Sequence, residues 1–138
     1  MNPQAPKATT NRRLLWAGRV VSALPVLMLL MSAGMKFSHQ PAMVEQFVGK
    51  LGYPESTITG IALVELLCLV LYAVPQTSIL GAVLLTGYLG GAAATHVRVG
   101  DPFMGPVVLG VLVWAGLFLR DERIRALLPL RKPAAVSG

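Results

Sequence analysis

The chain has 138 residues, of which 54% are hydrophobic and 13% charged, and a formal net charge of +6; its mean hydropathy is +0.65. Soluble domains carry about a quarter charged residues, so the composition excludes an ordinary soluble domain and a disordered tail, and one cysteine excludes a disulfide-built secreted module. The segments between the apolar runs are too short to form a separate catalytic domain.

In chain order, residues 1–13 form a polar lead with Pro3 and Pro6, expected to be disordered. The first apolar run, 14–36, carries Arg19, close enough to its start to snorkel to the headgroups, and Pro25, expected to kink the helix. A loop follows, in which Met43, Phe47 and Leu51 recur every fourth residue. That spacing suits a short amphipathic helix in the membrane interface, either a lid over the bundle or a simple surface anchor. Further runs cover 57–74, 79–97 and 103–119, the last at the short end of the roughly 20 residues a bilayer requires. Gly87 and Gly91 form a G-x-x-x-G pair on the third run, where small residues let helix backbones approach; internal packing is favoured over a homo-oligomer contact. Residues 121–138 make a basic tail.

Charge placement sets the orientation. Lys7, Arg12, Arg13 and Arg19 flank one end, and Arg120, Arg123, Arg125, Arg131 and Lys132 the other; only Lys36, Lys50 and Arg98 lie between. An even number of spans puts both basic ends on one side, which the positive-inside rule makes the cytoplasm. The fold class expected is therefore all-α: an integral membrane four-helix bundle, multi-pass in a bacterial inner membrane, with cytoplasmic termini. The same placement argues against nucleic acid as a partner, since the basic residues flank apolar runs and form no continuous face.

Charge within a span costs about 2.5–3.5 kcal/mol even on lenient scales, so ionisable residues there need a reason. Glu65 lies about 12 Å into its helix at 1.5 Å per residue, with Cys68 and Tyr72 on its face. Lys36 closes the first run, and His96 and Arg98 close the third, at the same outer side. Together they point to a polar pocket opening outward, with Glu65, His96 and Lys36 as candidate catalytic groups. Taken singly, His96 and Arg98 read as interfacial anchors, and the alternative for Glu65 is a structural carboxyl hydrogen-bonded to another helix. Asp101 is placed to pair with Arg98. One cysteine and two histidines exclude a dithiol relay and bis-histidine haem, and the sequence offers no metal site.

In Gly34-Met35-Lys36-Phe37, Gly52-Tyr53-Pro54, Glu65, Pro75-Gln76-Thr77, Leu80-Gly81-Ala82 and Thr95-His96, the sequence resembles DoxX-like membrane proteins over residues 14–119. The resemblance implies a four-helix inner-membrane domain over 14–120. Relatives of the namesake are subunits of thiosulfate:quinone oxidoreductase, which fold analogy alone does not transfer. One expectation is a redox-associated subunit, with a soluble or membrane redox partner, that holds a quinone or similar apolar ligand. Lys36 and His96 would bond its carbonyls, Glu65 would relay protons, and Met28, Met31, Tyr72, Tyr88 and Arg98 would complete the pocket. The alternative is a non-catalytic bundle that anchors or stabilises a partner protein; it expects Glu65 packed against Lys36 with no cavity. A third is an acid–base enzyme of the isomerase type acting on a lipophilic substrate. Whether the chain is an enzyme is left open by the sequence.

Overall fold

A computed structural model describes residues 11–130, and among these every regular element is helical. The expected disordered lead, apart from its last three residues, and the tail residues Arg131 and Lys132 lie outside the described residues. Four apolar helices dominate: α1 (Arg12–Phe37), α3 (Ile58–Ala73), α4 (Ser78–Arg98) and α5 (Met104–Arg120). Between α1 and α3 run a short helix α2 (Pro41–Val44), a π-helical turn Glu45–Lys50 and a 3₁₀ turn Glu55–Thr57. The segment expected to be only a basic tail begins with a further short helix, α6 (Glu122–Leu127).

Local chemistry accounts for the element ends. The Asn11 side chain accepts from the Arg13 backbone N–H at 3.2 Å and caps α1, and Asp121 does the same for α6 through Arg123 at 2.9 Å. Pro75, Gln76 and Thr77 interrupt the apolar pattern and turn α3 into α4; the Thr77 hydroxyl donates back to the Leu71 carbonyl at 2.8 Å. Gly100, at φ +73°, reverses the chain after α4, and the Asp101 N–H then reaches the His96 carbonyl at 3.0 Å. Helix α1 runs unbroken through Pro25, which is buried in the bundle, so packing accommodates the lost backbone donor within one continuous helix.

Helix α1 packs against α3 and α5, and α4 packs against the same two, so α1 lies diagonally across from α4. Three helices, Arg12–Phe37, Ser78–Arg98 and the combined 3₁₀/α segment Glu55–Ala73, are long and apolar enough to cross a membrane; α5, at 17 residues, is shorter. Large apolar side chains such as Val20, Leu27, Leu63, Leu67 and Val111 are more than half exposed around the outside. Exposed apolar surface on every main helix is a liability in water and an asset in lipid.

The two ends of the bundle are built differently. At the end carrying the start of α1, a side chain on Gly18 would come within 2.8 Å of Arg120, one on Gly116 would strike Ser22, and one on Gly81 would strike the Tyr72 backbone. Tyr72 ties three helices together there: its hydroxyl donates to the Val113 carbonyl at 2.8 Å and lies 2.9 Å from the Ser22 hydroxyl. The Arg120 guanidinium stacks 4.8 Å from the centroid of the Tyr72 ring, a cation–π contact. At the other end the helix glycines are exposed. A Cβ on Gly34, Gly60, Gly91 or Gly105 meets nothing within 4 Å. Gly87 is equally free. Internal packing through the Gly87–Gly91 pair is therefore not how this bundle closes; Gly18, Gly81 and Gly116 make the close approaches instead. The close glycine approaches thus lie at one end of the bundle, and toward the other a space is left between the helices.

Candidate functional site

That space is a cavity of about 430 Å³, within the range of small-molecule sites. All four main helices line it: α1 through Met28, Ser32 and Lys36, α3 through Ile61 and Glu65, α4 through Tyr88 to His96, and α5 through Gly105 to Leu109. Its roof is the loop after α1. Met43, Phe47 and Leu51, the every-fourth-residue apolar set, all face the cavity, joined by Gln46 and Tyr53. The loop therefore sits as a lid.

At the centre, Lys36 Nζ donates to Glu65 Oε2 at 2.8 Å, with the two side chains 5% and 1% exposed. Lys36 also donates to the Ser32 hydroxyl one turn earlier, and its ammonium lies 5.6 Å from the centroid of the Phe47 ring. Two of its three N–H groups are thus committed within the protein. Glu65 is not fully used: Oε1 is buried and has no hydrogen-bond partner. Tyr88 lines the same wall, close enough to Glu65 to interact with its carboxylate. A buried charge pair survives only when geometry and extra hydrogen bonds offset desolvation, and here one carboxylate oxygen is left over.

The mouth of the cavity holds a second polar group. His96 Nδ1 is 3.7 Å from Asp101 Oδ2, and Lys50 Nζ is 3.7 Å from the other carboxylate oxygen. Arg98 donates to the Leu51 carbonyl, and the Tyr53 and Thr95 hydroxyls are 3.0 Å apart. These contacts fasten the lid to the end of α4.

The sequence-selected residues separate accordingly. Lys36, Glu65, His96, Met28 and Tyr88 share the cavity wall. Met31 does not: it is 63% exposed on the outer surface of α1. Tyr72 does not either, because it is the buried tie at the closed end. Arg98 is a lid fastener outside the wall, and Asp101 pairs with His96 and Lys50, since the Gly100 turn brings it back over α4. Sequence reasoning did not place Ser32, Gln46, Tyr53 or Thr95 in the site. Ser32 was detectable as the polar residue four before Lys36, hence on its face.

A larger apolar groove of about 710 Å³ runs outside, between α4 and α5 beside Trp114 and Phe118, but no ionisable side chain lines it. Among the described residues no cluster of His, Cys, Asp or Glu could hold a metal ion.

A DoxX-like family model matches residues 20–116, from the first third of α1 to near the end of α5. The chain belongs to the DoxX-like family. No curated protein and no solved structure gives a significant match to it. With family membership and the exposed apolar helices together, this is a small membrane protein of the DoxX-like family.

Proposed function

We propose that this DoxX-like protein is a four-span bundle of the bacterial inner membrane, with both termini cytoplasmic, that binds a quinone or similar apolar ring in its outward-facing cavity as a redox-associated subunit. The observation that carries the reading is the buried Lys36–Glu65 pair with a free carboxylate oxygen in the wall of a largely apolar 430 Å³ space. Such a site fits a ligand with an apolar body and one polar head. The end with the cavity and its lid faces away from the basic flanks, which supports an outward opening.

A bound quinone would supply two-electron, two-proton chemistry. The chain's own residues would do the rest. Phe47, Leu51 and Met43 exclude water, Lys36 pins the Glu65 carboxylate, and Glu65 Oε1 is the atom at which the chain accepts or returns a proton. In this reading His96, beside Asp101, carries the proton between that atom and the outer solution.

The second reading, a bundle that anchors a partner protein, is favoured by the direct Lys36–Glu65 contact, which would act as an interhelical strut. It expects nothing bound in the cavity. Solvent extraction and mass spectrometry of the detergent-purified protein separate the two. An apolar molecule near one per chain, lost in Glu65→Gln and Lys36→Met, supports the ligand site; none in the wild type, with both variants only less heat-stable, supports the strut.

A further inference from the structure

Resting on the ligand reading, we infer that the cavity selects the hydroxyl-bearing, reduced head of its ligand over the carbonyl-bearing, oxidised one, because Glu65 Oε1 is a buried acceptor with no donor. Paired with the Lys36 ammonium at 2.8 Å, the Glu65 carboxylate offers only lone pairs. One of its oxygens is occupied by Lys36, and the other is buried beside the cavity with no hydrogen-bond partner in the chain. A carbonyl oxygen brought against it meets lone pair with lone pair. A ligand hydroxyl donates into it, making a charge-assisted bond of the stronger kind.

The donors around the site agree. Lys36 spends two N–H groups on Ser32 and Glu65, and its ammonium lies against the Phe47 ring, so one N–H is left for a ligand. Tyr88, beside Glu65, can donate to the same ligand oxygen that donates to Glu65. A hydroxyl head therefore satisfies an acceptor and a donor at once. A carbonyl head can take a bond from Tyr88 or from the third Lys36 N–H, yet still leaves Oε1 unmet, and an unmet buried acceptor is costly.

The test is equilibrium binding, under anaerobic conditions, of a decyl-substituted benzoquinol, the matching quinone and the quinol's dimethyl ether to the purified full-length protein in detergent, read by displacement of a fluorescent probe or by calorimetry. The quinol is expected to bind at least tenfold more tightly than the quinone, and the ether no better than the quinone. Glu65→Gln, which keeps the shape and adds an amide donor, is expected to bring quinone and quinol within about threefold of each other. The wild-type comparison of quinol with ether stands even if that variant folds poorly. Equal or tighter binding of the quinone, or an ether that matches the quinol, overturns the selectivity and leaves the ligand site standing. Failure of all three compounds to bind overturns the ligand site as well.

Discussion

Removing the Lys36 ammonium is the perturbation with the largest expected effect on the fold. The ammonium lies 2.8 Å from Glu65 Oε2, the side chains are 5% and 1% exposed, and Oε1 has no other donor. Lys36→Met therefore strands a whole carboxylate in the bundle, where breaking a buried pair costs about 3–5 kcal/mol. Glu65→Gln keeps the shape and an acceptor oxygen for Lys36 but leaves the buried ammonium without its counter-charge, so its cost lies at the low end of the same range, about 3 kcal/mol. The double variant Lys36→Met, Glu65→Gln contains no charge at the site. Its loss is expected to be smaller than that of Lys36→Met alone, so the two substitutions couple. The assay is a double-mutant cycle of unfolding in detergent, followed by circular dichroism under heat or added dodecyl sulfate. Effects that add to within about 0.5 kcal/mol would refute the direct pairing.

Three further outcomes follow from the geometry. Gly116→Ala drives a methyl into Ser22 and is expected to cost about 1–3 kcal/mol in the same unfolding assay, whereas Gly87→Ala, with nothing within 4 Å, changes stability by less than about 0.5 kcal/mol. Tyr72→Phe leaves the Val113 carbonyl without its extra donor and Ser22 without its partner, a loss of about 1–2 kcal/mol measured the same way. Arg98→Gln combined with Tyr53→Phe releases the lid from α4, so hydrogen exchange of the amides in residues 43–53 should speed up while that of α1 and α3 is unchanged.

Much of this architecture is readable from apolar runs, because in a membrane chain every span must satisfy its own backbone and advertises itself by length and hydropathy. Glu65 and Lys36 were readable for the complementary reason: a charge in such a run needs a partner, and Lys36 is the basic residue at the far end of the neighbouring span. What the sequence hides is which face meets which neighbour. The Gly87–Gly91 spacing looks like a packing motif, yet the close approaches fall on Gly18, Gly81 and Gly116, none of them in such a pair. Tyr72 shares the buried face of α3 with Glu65, but two turns along the helix carry it from the cavity to the closed end. Asp101 was expected on Arg98; a single left-handed glycine turned it toward His96 and Lys50 instead. The roof was half visible. The Met43, Phe47, Leu51 spacing marks an amphipathic segment, while its π-helical turn and its polar fastenings to α4 depend on contacts between residues far apart in the chain.

The central claim is that the space beside Glu65 holds a small molecule, and filling that space without touching a charge tests it most directly. Gly91 lines the cavity, and a side chain there meets no neighbour within 4 Å. Extraction and mass spectrometry of wild type and Gly91→Leu, each checked for unchanged thermal unfolding, should find close to one apolar molecule per chain in the first and none in the second. Equal content in both proteins, or none in the wild type, would contradict the account.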